Sequence, residues 1–325
     1  MTNNSQFCTV AQDRPSGGPY KLCYELAGSG PNKVLLVMGL SGTLRAWDST
    51  VKQLVARGGF EICTFDNRDA GESDKPGPGY TVKDMAMDAY ELLQHLGWKN
   101  NVFLAGVSMG GMISQELVLL APKDTFAAVV FISTHAGMTI PPALALWTFF
   151  QILFVPGERT ELQQMESFAR LLYPTTWLAA KAPEGSGFAT NRDMIYENLR
   201  GMTKAKGVQS ELSRKGQLGA IHKHYVSKSR LNTIGKLGIP TLVMVGTEDS
   251  IIRPSNSHHL AKHIGCPLEV FKGAGHVLAT EQPERFHNLL VQTFAKSPAF
   301  VDEGPKPNAE ELKKDAELSP PAPSL

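Results

Sequence analysis

The chain has 325 residues, 42% of them hydrophobic and 19% charged, enough apolar material for one large domain with a well-buried core. Its 32 basic and 31 acidic residues nearly cancel, and no run of Lys or Arg forms a strip, which argues against a nucleic-acid partner. The four cysteines, Cys8, Cys23, Cys63 and Cys266, show neither C-x-x-C nor metal-ligand spacing and read as idle thiols of a reducing compartment.

Residues 1–18 form a polar segment without the apolar stretch of a secretory signal, so a cytoplasmic location is expected. Short apolar runs then recur at 21–26, 34–38, 60–65, 102–105, 128–132, 241–245 and 268–271. Most are continuously apolar rather than alternating, the pattern of strands covered on both faces. Helical periodicity fills the intervals at 47–57, 82–96, 109–121, 254–264 and 283–294. Thr81 with Asp84 reads as a capping box for the second of these, and Gly97 and Pro122 as stop signals. Strand and helix in alternation predict an α/β fold: a mostly parallel sheet flanked by helices.

One stretch breaks the rhythm. Residues 137–232 carry helix-like pieces at 159–172 and 191–202 but no clear strand, too long an interval for a loop and therefore an inserted helical cap. The expected organisation is a core at 19–136 and 233–297, the cap at 137–232, and a proline-rich, disordered tail at 298–325. The most apolar piece, 144–155, is shorter than the roughly 20 residues a bilayer span requires. It reads as a cap helix, with an interfacial membrane-docking segment as the alternative.

Five predicted strands end in residues suited to chemistry, and an open parallel sheet binds ligands at those ends. After 34–38 comes Gly39-Leu40-Ser41-Gly42, where backbone N–H groups can face a ligand. After 60–65 comes Asp66-Asn67-Arg68-Asp69-Ala70-Gly71-Glu72-Ser73, whose expected task is to brace neighbouring turns. After 102–105 comes Gly106-Val107-Ser108-Met109-Gly110, a serine set between two glycines at a strand-to-helix junction. By itself such a pentapeptide is weak evidence in a chain with 30 glycines. After 241–245 comes Gly246-Thr247-Glu248-Asp249-Ser250, in which Asp249 is placed to orient a histidine and Glu248 competes with it. After 268–271 comes Lys272-Gly273-Ala274-Gly275-His276. The other histidines considered (222, 224, 258, 259, 263 and 287) read as helix-surface or core residues. Nucleophile, acid and base in the order Ser108, Asp249, His276, each just after a strand, form a serine-hydrolase constellation.

On these motifs the chain resembles the α/β-hydrolase superfamily from about residue 20 to 296. It departs in carrying Met38-Gly39 where many members have His-Gly, and Asn67-Arg68-Asp69 where many have Asn-Arg-Gly. The resemblance implies an acyl-enzyme mechanism on Ser108, an oxyanion hole from the backbone N–H groups of Leu40 and Met109, and no metal or organic cofactor. The expected reaction is hydrolysis of a carboxylic ester or lactone of a mainly apolar small molecule, with the cap choosing the substrate. Carbon–carbon bond hydrolase, thioesterase and non-catalytic ligand-binding protein are the alternatives. The oligomeric state is unknown.

Overall fold

The apolar runs become strands because successive side chains enter two different cores. In a computed structural model that describes residues 5–14, 17–154, 160–204 and 209–304, the strands are β1 (Gln6–Val10), β2 (Tyr20–Gly28), β3 (Asn32–Val37), β4 (Phe60–Phe65), β5 (Val102–Val107), β6 (Phe126–Ile132), β7 (Thr241–Gly246) and β8 (Leu268–Phe271). Leu35 and Val37 join one core cluster while Val34 and Leu36 join the other; Val102 and Leu104 divide likewise from Phe103 and Ala105. Period-2 geometry with both faces buried therefore makes every position apolar.

The helices are α1 (Asp48–Arg57), α2 (Val82–His95), α3 (Met109–Leu120), α4 (Ala143–Phe154), α5 (Glu161–Leu172), α6 (Thr175–Ala179), α7 (Asn191–Lys204), α8 (Glu211–Lys223), α9 (Lys228–Gly235), α10 (Pro254–Ile264), α11 (Leu278–Glu281) and α12 (Pro283–Ala295). Leu54 of α1 and Phe286, Leu290 and Phe294 of α12 cover one face of the sheet. Residues of α2, α3, α9 and α10, including Leu92, Ile113, Leu231 and Leu260, cover the other. The capping box at α2 forms: the Thr81 hydroxyl accepts the Asp84 N–H at 3.2 Å and the Asp84 carboxylate accepts the Thr81 N–H at 2.8 Å.

The strands make one eight-stranded sheet in the order β1-β2-β4-β3-β5-β6-β7-β8, in which only β2 runs against the others, antiparallel to both β1 and β4. From β3 the chain moves outward to β4, then returns to lay β5 on the other side of β3 and continues through β6, β7 and β8. The order of winding thus reverses between β3 and β5, the place at which open α/β sheets generally bind ligands.

Two elements lie where sequence periodicity was thin. β1 falls inside the polar segment 1–18; it is a five-residue edge strand with only Cys8 and Val10 buried, too short to show a pattern. At the other end, Phe300 packs against Phe60 and Phe103, and Asn32 exchanges hydrogen bonds with both backbone groups of Val301. The start of the proline-rich segment 298–325 is therefore packed on the core, and residues 305–325 lie outside the described residues.

Between β6 and β7 the chain runs through α4 to α9. It leaves and re-enters through a narrow neck: Gly137 and Tyr225 form an antiparallel bridge, and the Val226 N–H donates to the Ala136 carbonyl at 2.8 Å. α9 packs on α3 and α10 and so belongs with the sheet-covering layer. In α4, Leu146 and Trp147 are exposed, while the side chains from Phe149 to Phe154, and with them most of the apolar segment 144–155, lie outside the described residues. No described helix is long and apolar enough to cross a membrane.

Candidate active site

Ser108 sits at the reversal, directly between β5 and α3, with φ 57° and ψ −122°. A non-glycine residue at positive φ carries strain of about 1–3 kcal/mol, maintained only where the surroundings enforce it. Here the enforcement is steric. A Cβ on Gly106 would strike Ser114 and the Gly110 carbonyl, and one on Gly110 would strike the Val37 carbonyl, so the strand-to-helix turn closes only with glycine at both positions. The Ser108 side chain makes no capping hydrogen bond to α3, and the Thr134 hydroxyl donates to its carbonyl at 2.7 Å.

The Gly39–Gly42 turn, closed by a Gly42 N–H to Gly39 carbonyl bond of 3.2 Å, follows β3 and abuts Ser108. A Cβ at Gly39 would lie 2.9 Å from Ser108 Cβ and 3.5 Å from its Oγ, which explains the glycine. Leu40 is in this turn and Met109 is the first residue of α3, so the two candidate donors stand on adjoining loops. The loop after β4 braces the turn. Asn67 Nδ2 donates to the Met38 carbonyl at 2.9 Å, and the Asp66 carboxylate accepts the Leu44 N–H at 2.7 Å and the Glu72 N–H at 2.8 Å. Arg68 is buried in a bidentate pair with Asp88 (2.6 and 2.7 Å) between the rings of Tyr20 and Tyr80. Asp69 accepts the Tyr80 hydroxyl at 2.7 Å and the Gly77 N–H at 3.1 Å. The unusual Arg68-Asp69 pair is thereby occupied in packing this loop.

Asp249 and His276 come together. His276 Nδ1 is 2.8 Å from Asp249 Oδ2, and the other carboxylate oxygen, Oδ1, accepts the N–H groups of Ile251 and Ile252 at 2.8 and 2.9 Å. Both residues are buried, whereas the neighbouring Glu248 is exposed. Ser108, Asp249 and His276 follow β5, β7 and β8, parallel strands whose carboxyl ends share one edge of the sheet. Among the described residues, no group of three His, Cys, Asp or Glu side chains is arranged to hold a metal ion.

Sequence reasoning missed the groups that hold the histidine loop. The Glu281 carboxylate accepts the Gly275 N–H at 2.7 Å and the Val277 N–H at 3.1 Å, and the His276 N–H between them donates to the Leu172 carbonyl of α5 at 2.9 Å. Three successive N–H groups are thus tied down, one of them to the helical segment between β6 and β7. The available signal was an acid five residues past His276, in the short segment before Pro283. Burial pushes the Glu281 carboxyl up to about 7, the two N–H groups countering it only in part. A carboxyl with a raised pKa binds its proton more tightly in the folded chain, so its contribution to stability is complete below its ordinary 4.5 and is lost as pH rises through about 7. Glu281→Gln removes that titration. Urea denaturation should show stability shifting in the variant's favour, relative to wild type, by about 2–3 kcal/mol between pH 4.5 and 8. A gap independent of pH would contradict this.

The family model described as alpha/beta hydrolase fold matches residues 32–283. Among solved structures, the chain is similar to a thermophilic esterase from Thermogutta terrifontis, with a TM-score of 0.68, 25% identity, and coverage of 90% of this chain and 98% of that one. It is also similar to a hydrolase from Pseudomonas aeruginosa PA01 (TM-score 0.70, 22% identity, 91% and 100% covered). A third is the enol-lactonase from Burkholderia xenovorans LB400 (0.67, 17%, 90% and 100%). With the family match spanning both the Gly39–Gly42 turn and His276, this chain belongs to the α/β-hydrolase fold family.

Proposed function

We propose that the protein is a serine hydrolase that cleaves a carboxylic ester or lactone of a mainly apolar small molecule through an acyl-enzyme. The observation that carries this reading is the 2.8 Å contact of Asp249 with His276 Nδ1, on the same sheet edge as a serine forced to positive φ. With Nδ1–H donated to Asp249, His276 Nε2 is left as a proton acceptor. It takes the Ser108 proton as Oγ bonds to the substrate carbonyl carbon, and the oxygen that becomes negative is met by the N–H groups of Leu40 and Met109. The positive end of α3 favours the same charge. His276 then returns the proton to the leaving alkoxide as the C–O bond breaks, and water repeats the cycle on the acyl-enzyme.

The helices between β6 and β7 act in this reading as a cap. Tyr173 stacks on Trp177 at 4.9 Å directly after Leu172, the residue bonded to His276, so an apolar wall adjoins the histidine loop. The likeness to the Thermogutta terrifontis esterase supports ester chemistry. The four free cysteines suit a reducing compartment, and a cytoplasmic location is part of the proposal.

Incubation with a fluorophosphonate probe tests the nucleophile. One covalent adduct per chain, mapped by mass spectrometry to the peptide containing Ser108, is the expected result. An unmodified protein, or an adduct on another residue, would remove Ser108 from the mechanism. p-Nitrophenyl esters of graded chain length, assayed beside lactones and thioesters, then define the acyl group.

A further inference from the structure

The helical segment between β6 and β7 reaches the turn that carries Leu40. α8 is seated against the loops after β3 and β4 so closely that a Cβ on its Gly216 would lie 2.6 Å from Asp69 Oδ2 and 3.0 Å from the Tyr80 hydroxyl. One helical position on, Gln217 is fully buried, an unusual location for an amide unless both ends are satisfied. Both are. Gln217 Nε2 donates to the Arg68 carbonyl at 2.9 Å, and Oε1 accepts the Ser41 N–H and Gln209 Nε2, each at 2.9 Å. Gln209 Nε2 also donates to the Asp69 carbonyl at 2.9 Å, and its Oε1 accepts the Ser41 hydroxyl.

Ser41 is a point at which the turn needs such support. Its φ of 59° is left-handed, a conformation that glycine occupies freely and serine does not. In a four-residue turn from Gly39 to Gly42, positive φ at the third position marks the orientation in which the central peptide is flipped relative to the commoner type I form. That central peptide joins Leu40 to Ser41, and its N–H is the one Gln217 accepts.

We propose that Gln217, aided by Gln209, is a positioning residue for the oxyanion turn: it holds the Leu40–Ser41 peptide in its flipped orientation and thereby keeps the Leu40 N–H aimed beside Ser108. The inference rests on the hydrolytic reading above and adds to it a coupling. The segment that roofs the site also completes its electrostatics, so a substrate that keeps α8 seated keeps the turn in its active form. Rate loss on breaking the contact belongs to the transition state, because only there does the oxygen carry the charge that Leu40 meets.

The test compares wild type, Gln217→Met (close in shape, without either polar end) and Gln217→Glu on p-nitrophenyl butyrate, with inhibition by an aryl trifluoromethyl ketone, which adds to the serine to give a charged tetrahedral adduct. Gln217→Met should lose about 10- to 100-fold in kcat with KM changed less than about threefold, and should bind the ketone more weakly by a matching factor. Gln217→Glu keeps the acceptor for Ser41 but sets a carboxylate oxygen against the Arg68 carbonyl. Its activity relative to wild type should rise as pH falls and the buried carboxyl gains a proton to donate there. Wild-type kcat and ketone affinity in Gln217→Met, or a loss confined to KM, would overturn the proposal while leaving Ser108 chemistry intact. If Gln217→Met does not fold, the half-buried Gln209→Met takes its place, with a drop of a few-fold in kcat expected and an unchanged kcat overturning the proposal. A wild-type protein that neither turns over esters nor labels at Ser108 defeats the hydrolytic reading, and this inference with it.

Discussion

Ser108→Ala is expected to lower kcat on an activated ester by about a millionfold, with little change in KM. In the proposed mechanism the variant lacks the group that forms the covalent bond, and what survives is the assistance that the Leu40 and Met109 N–H groups would give to direct attack by water. The fold should not share in the loss. Alanine and serine pay a similar cost at φ 57°, and the Ser108 side chain makes no capping bond to α3, so the melting temperature should stay within a few degrees. That separation makes the measurement decisive. A purified, folded Ser108→Ala protein that keeps even a thousandth of wild-type turnover would require a different nucleophile.

Asp249→Asn should cost about 10⁴ in kcat, for a reason that the hydrogen bonds spell out. Oδ1 of residue 249 accepts two backbone N–H groups, from Ile251 and Ile252, a task that only the carbonyl oxygen of an asparagine can take over. The amide nitrogen is then forced onto the oxygen position that faces His276 Nδ1. Two donors cannot meet, so the imidazole shifts its proton to Nε2 and can no longer accept one from Ser108. Glu248→Gln, at an exposed side chain, should stay within about twofold of wild type. The reverse ranking would transfer the acid's role to Glu248. Both variants are read by kcat and kcat/KM on the same ester.

What the sequence made legible tracks what repeats locally. β4 and β8 occupy the expected spans and α10 begins and ends as expected, because the apolar period is contained within each segment itself. The positions of Ser108, Asp249, His276 and the Gly39 turn just after strands were legible because a strand end can be read from a strand. The preference for Asp249 over Glu248 rested on position alone in the sequence, and the contact with His276 shows which carboxylate turns inward to the histidine. Gln217 and Ser41 are 176 positions apart, and no periodicity connects them. Glu281 left only the trace of an acid shortly after His276. Supporting residues of this kind are defined by tertiary contact, so their roles emerge only once the loops have been assembled.

The neck at Ala136–Gly137 and Tyr225–Val226 gives the molecule the outline of a socket and a plug-in cassette. Among the described residues, no strand of the eight-stranded sheet lies between those two points. A lineage diversifying on this scaffold would do so most readily by replacing the cassette whole. The buried amide of Gln217 sets the condition on such a graft: an incoming cassette must supply its own contact to Ser41, or arrive with the selectivity of its donor and a fraction of its speed.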